Sequence, residues 1–133
     1  MDPQEISDRM EITDLITRYT RAVDTRQFAD LHQLFTEDAV LDYSANDGPV
    51  GPPEEAIAWV ERGLAGFARC QHIIGQVAIS FAEDRRTAQV TAYFTNPLVG
   101  VAPDGTETVW EVGGYYHHEM VSMPDGWRSR AMA

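Results

Sequence analysis

The chain has 133 residues, 44% of them hydrophobic and 23% charged, with a formal net charge of −11. That length suits one domain around one core. The acidic balance argues against nucleic acid and anionic membrane surfaces as partners, since both need basic patches. No apolar run approaches the ~20 residues that span a bilayer. All 10 basic residues are arginine, which excludes Schiff-base and lysine general-base chemistry.

The acidic, polar start Met1-Asp2-Pro3-Gln4-Glu5 does not read as a secretory signal. From residue 4 to residue 23, Ile6, Met10, Ile12, Leu15, Ile16, Tyr19 and Val23 recur at helical spacing, which predicts an amphipathic helix. A short second helix carries Phe28, Leu31, Leu34 and Phe35, and Asp38 to Tyr43 alternates as a short strand. The Gly- and Pro-rich stretch from Ser44 to Pro53 is a loop, and a third helix fits Glu54 to Arg69. After Cys70 the period changes from helical to alternating. Residues 71–82, 87–99 and 107–123 read as long strands joined by hairpins, and Pro124-Asp125-Gly126 turns the chain into a last strand at Trp127. Helices first and a meander afterwards predict an α+β domain spanning residues 1–133, with the helices covering one face of a curved antiparallel sheet.

Histidines and carboxylates carry the candidate chemistry. His72 and Gln76 share one strand face by two-residue periodicity, opposite an apolar row of Ile73, Val77, Ile79 and Phe81. A structural histidine satisfies that pattern, and so does a general base lining a cavity. Asp24 follows the first helix, where a carboxylate opposes the macrodipole and needs compensation. Asp24-Thr25-Arg26-Gln27 fits a cap on the second helix, a role compatible with a second one because a carboxylate has two oxygens.

Tyr43, Tyr19 and Tyr93 are aromatics whose hydroxyls could reach a cavity, although core packing is the plainer reading. His118 shares strand parity with Tyr116 and Met120 and points inward; His117 and His32 read as surface. No cluster has metal-ligand spacing, and His117-His118 cannot both reach one ion from a regular strand. Phosphate-cradling loops and serine elbows are absent. Cys70 is the single cysteine, cannot form an internal disulfide, and suits a reducing cytoplasm; it reads as a packed, inert thiol.

Taken in order, Arg18-Tyr19, Ala22-Val23-Asp24, Leu34-Phe35-Thr36-Glu37-Asp38-Ala39-Val40, Leu41-Asp42-Tyr43-Ser44, Gln71-His72-Ile73-Ile74-Gly75 and Asp125-Gly126-Trp127 form a pattern. It resembles the SnoaL-like group, which includes scytalone dehydratase within the nuclear transport factor two superfamily. The resemblance runs from about residue 5 to residue 130. It implies a sheet wrapped by three helices into a cone whose cavity holds the ligand. It also implies a catalytic dyad at Asp24 and His72, and a tyrosine at Tyr43 that holds a water on the substrate carbonyl.

Two departures stand out. The second catalytic histidine of scytalone dehydratase would fall near Asn96-Pro97-Leu98-Val99-Gly100, where there is none, and a tyrosine before the dyad aspartate is replaced by Val23. Scytalone itself is therefore a poor substrate candidate. The chain also stops soon after Trp127-Arg128, where relatives complete a strand and often add a tail over the cavity mouth.

The expectation is a lyase or isomerase, free of organic cofactor and metal, acting on a small cyclic hydrophobic carbonyl compound. Asp24, His72 and Tyr43 would be catalytic, and Tyr19, Gln76, Asn96, Tyr116 and His118 would contact substrate. A non-catalytic ligand-binding or assembly module and a polyketide cyclase are the rival readings. Family members associate through the outer sheet face, so a homodimer or homotrimer is expected, with the row Ile73, Val77, Ile79 and Phe81 as its surface.

Overall fold

Asp2 starts the first helix: its carboxylate accepts the backbone N–H of Glu5 at 2.8 Å, capping an end whose amides lack helical partners. In the computed structural model, which describes residues 1–133, α1 spans Pro3–Asp24. Ile12, Leu15, Ile16, Tyr19 and Val23 form its buried face, while Ile6 and Met10 at the N-terminal end are exposed. Arg26, in left-handed conformation at φ 58°, reverses the chain into a 3-10 helix at Phe28–Leu34. Asp24 does not cap that helix, whose N-cap is Gln27 and has no side-chain bond. Its carboxylate is engaged elsewhere.

Phe35 begins a strand instead of ending a helix, so β1 covers Phe35–Asp42. A two-residue strand, β2 (Val50–Gly51), pairs with it antiparallel. Helix α2 occupies Pro53–Leu64 and stops short of the expected Arg69. Gly63 and Gly66 weaken helical propensity there, and the Arg26 guanidinium takes the freed carbonyls of Leu64 and Phe67 at 3.0 and 2.7 Å.

The remaining strands are β3 (Arg69–Cys70), β4 (Ile73–Phe81), β5 (Thr87–Val101), β6 (Glu107–Met123) and β7 (Gly126–Met132). With β1 and β2 they form a seven-stranded sheet in the order β2-β1-β7-β6-β5-β3, with β4 also on β5. Every pairing is antiparallel except β1 with β7, the first and last long strands, which meet parallel in mid-sheet.

The β4–β5 ladder contains one irregularity with large consequences. Ile74 pairs with Phe94 and Val77 with Ala92, so three steps along β4 match two along β5. This bulge at Gly75 and Gln76 reverses the facing of everything after it. Val77, Ile79 and Phe81 therefore join Ile74 against the core, and Gln76 is exposed. The expected outer apolar row does not exist; of its members only Ile73, 50% exposed, faces out.

Away from the mouth, the core closes tightly. Ile12, Ile16, Val90, Ala92 and Met120 are essentially inaccessible. Trp127 on β7 donates its Nε1–H to Asp8 of α1 at 3.1 Å, and its ring meets Phe81 edge-on at 5.9 Å. This tie fixes α1 across the sheet and so sets where its last residue, Asp24, arrives.

Candidate functional site

The end of α1 meets the start of the sheet at Asp24. One carboxylate oxygen, Oδ2, accepts the backbone N–H of His72 at 2.8 Å. The other, Oδ1, lies 2.6 Å from His72 Nδ1 and accepts the Cys70 thiol at 3.4 Å. Donors converging on this carboxylate offset the helix dipole that a C-terminal acid otherwise faces. An ionised carboxylate only accepts, so in the neutral imidazole the proton sits on Nδ1 and Nε2 carries the free lone pair. The His72 side chain is 7% exposed, and it lines a cavity.

That cavity, about 240 Å³, lies between α1, α2 and the inner face of β5 and β6, and 11 of its 15 lining residues are hydrophobic. It falls just below the ~300–1,000 Å³ of common ligand pockets, a size for a small cyclic molecule. Trp59, Phe67, Phe94 and Tyr116 supply flat apolar walls. Phe94 and Tyr116 stack at 4.1 Å, with the His72 ring 6.1 Å from the one and 6.4 Å from the other.

Few polar groups interrupt these walls. The hydroxyls of Tyr19 and Tyr43 hydrogen-bond to each other. One O–H is used within the pair, which leaves the other to a ligand. Burial pushes Tyr43 up to about 12, against the opposing effect of its bond to Tyr19. Burial raises Tyr19 and Tyr116 well above the ordinary phenol range as well. All three are therefore phenols, able to donate. Asn96, 4% exposed, has its Oδ1 fixed by the Gln71 N–H at 3.1 Å, which orients its amide and frees the NH2 group for the cavity it lines.

Of the expected site residues, Asp24, His72, Tyr43, Tyr19, Asn96 and Tyr116 come together. Gln76 does not: the bulge turns it to the outer face. His118 points inward but lies deeper than the cavity, 2% exposed, with Nδ1 2.9 Å from Ser129 Oγ. Sequence reasoning missed the contact of Cys70 with Asp24, although the two-residue spacing of Cys70 and His72 was a legible signal. Trp59, Val60, Leu64 and Phe67, apolar positions of the expected third helix, line the cavity as well.

Asp24, Cys70 and His72 could in principle hold a metal, their ligand atoms lying within 4.8 Å of one another. Ligand atoms each ~2.0–2.3 Å from a tetrahedral ion stand more than 3 Å apart. Here Nδ1 and Oδ1 are 2.6 Å apart and are engaged with each other. The residues present do not fit an ion without breaking that pair.

This helix-wrapped sheet with an aromatic cavity defines the α+β cone of the nuclear transport factor two-like proteins. Residues 4–133 match the family model of the SnoaL-like domain. The chain belongs to the SnoaL-like family, which has isomerase, dehydratase and cyclase members. The uncharacterized protein Rv2910c of Mycobacterium tuberculosis is 36% identical over 124 residues, 93% of this chain and 82% of that one. Among solved structures, Kfla4162 from Kribbella flavida is 27% identical with a TM-score of 0.81, covering 96% of this chain and 89% of its own. A provisionally named scytalone dehydratase from Novosphingobium aromaticivorans is 18% identical with a TM-score of 0.84, covering 99% and 85%. That last likeness is one of fold alone. No helix of the chain is long and apolar enough to cross a membrane.

Proposed function

We propose that the protein is a lyase or isomerase, needing no organic cofactor or metal, that acts on a small cyclic hydrophobic carbonyl compound. The observation that carries this reading is the Asp24–His72 pair, with Nδ1 on the carboxylate and the ring lining an apolar cavity. His72 Nε2 takes a proton from the carbon α to the carbonyl, and the C–H electron pair moves into the enolate. Asp24 holds the required tautomer and stabilises the imidazolium that forms. The free O–H of the Tyr19–Tyr43 pair and the Asn96 amide donate to the enolate oxygen. A hydroxyl on the β-carbon then leaves as water with the proton from Nε2, giving elimination. Without such a group, return of the proton at the γ-carbon of an unsaturated substrate gives isomerisation.

A thermal-shift screen of cyclic ketones and hydroxy-ketones identifies ligands, and turnover of each is then measured. His72→Ala and Asp24→Asn are expected to lower kcat by ~10²- to 10⁴-fold while the melting temperature stays near wild type. Turnover at wild-type rate in either variant contradicts the dyad. Ligands that bind wild type and both variants alike, with no turnover, make the cone a binding module.

The same reading covers setting and assembly. A reducing cytoplasm keeps Cys70 a thiol. Association as a dimer or trimer uses the outer sheet face, where Tyr93 and Tyr115, 43% and 56% exposed, meet edge-on at 4.9 Å. Light scattering on a sizing column tests this: a monomer that persists at high concentration contradicts it.

A further inference from the structure

Cys70 fills space in the core cluster, but its position does more than fill space. β3 ends at Cys70, two residues before His72, so both side chains turn toward the end of α1. The Cys70 sulfur lies 3.4 Å from Asp24 Oδ1, the same oxygen that takes His72 Nδ1. We propose that Cys70 is a positioning residue of the dyad: its S–H donates to Asp24 Oδ1 and holds that oxygen against the His72 ring. The inference rests on the dyad reading and adds a third member to it.

The geometry explains why a third donor matters. Asp24 is the last residue of α1, and Thr25 and Arg26 already turn away, so little backbone follows to hold its side chain. Oδ2 is held by the His72 N–H and Oδ1 by the His72 ring, so apart from the thiol both contacts come from the one residue that has to be oriented. The thiol gives Oδ1 a second contact beside the ring. Burial and the adjacent carboxylate push Cys70 up to about 11, against the pull of Arg26, so it stays S–H and always donates. A thiol is also a weak donor. It orients the oxygen while leaving most of the carboxylate's charge to the imidazolium.

The test needs no substrate. NMR of protein with labelled histidine reads the deshielded Nδ1–H of His72 and its exchange with water. Three variants separate donation from packing: Cys70→Ser keeps a donor, Cys70→Val keeps bulk without one, and Cys70→Ala has neither. Exchange in the Val and Ala variants is expected to be faster by on the order of fivefold, with Cys70→Ser close to wild type. Wild-type exchange in all three, or rescue by Val as good as by Ser, reduces Cys70 to packing and overturns the proposal. Asp24→Asn serves as the control. If that change leaves the His72 resonance in place, the dyad itself falls, and the role of Cys70 with it. If it abolishes the resonance while Cys70→Val does not alter it, only the role of Cys70 falls.

Discussion

His72 and His118 are two inward-facing histidines, each with Nδ1 on an oxygen, and they differ in what the second nitrogen meets. Ser129 Oγ donates to the Ala131 carbonyl at 3.1 Å, so it accepts from His118 Nδ1–H. His72 Nδ1–H donates to Asp24. Both rings thus carry the same tautomer. His118 Nε2 is sealed in the core with no partner, and burial, with a smaller effect from His117, lowers its pKa to about 4. His72 has a carboxylate behind it and a cavity before it. An inward histidine acts as a base only where its free nitrogen meets a ligand and its bound one meets a charge.

Exchanging the roles of the two residues produces the largest expected effects. His72→Ala is expected to lower turnover by ~10²- to 10⁴-fold with little change in stability. His118→Ala leaves turnover intact in the folded protein and costs about 2–3 kcal/mol, because it opens a void in a sealed core. Urea melts beside an activity assay separate the two; similar behaviour of both variants breaks the comparison.

Acid is the next probe. His118 has a folded pKa of about 4 against an ordinary 6.5, so below 6.5 the unfolded chain binds a proton that the native state refuses. Stability from this group is full above 6.5 and is lost as pH falls toward 4, by about 3 kcal/mol in all. In His118→Leu the fall in urea-melt stability across that window is expected to flatten. An unchanged slope contradicts a neutral, sealed imidazole.

A smaller effect sharpens the contrast between the closed end and the mouth. Trp127→Phe retains a ring against Phe81 but removes the Nε1–H donated to Asp8. It is expected to cost about 1–2 kcal/mol in urea melts, with ligand affinity unchanged. Smallest is Gln76→Ala, which lies on the outer face. It should leave ligand affinity unaltered and stability within about 0.5 kcal/mol; a clear loss of affinity would put Gln76 back in the site.

Much of this was legible in the sequence, because periodicity reports which face a residue occupies. The helical spacing of Ile12 to Val23 set the register of α1, and the alternation after Cys70 set the meander. What periodicity cannot carry is a break in itself. One extra residue at Gly75-Gln76 turned Gln76 outward and Val77, Ile79 and Phe81 inward; the strand-interior Gly75 is the local mark of such a bulge, which alternation alone passes over. Nor does it report cover: Trp110 shares the inner face with Tyr116, yet it is 61% exposed where the helices no longer reach. The pairing of Asp24 with His72, 48 residues apart, came from the order of motifs. Its third contact, Cys70, needed the geometry.

The most direct measurement is the tautomer of His72, read from the ring nitrogen shifts in wild type and in Asp24→Asn. In wild type the proton is expected on Nδ1, with Nε2 bare toward the cavity. In Asp24→Asn the backbone N–H of His72 claims the one remaining oxygen. The amide NH2 then faces Nδ1 and drives the proton to Nε2, abolishing the base. A wild-type ring protonated on Nε2, or the same tautomer in both proteins, would contradict the dyad.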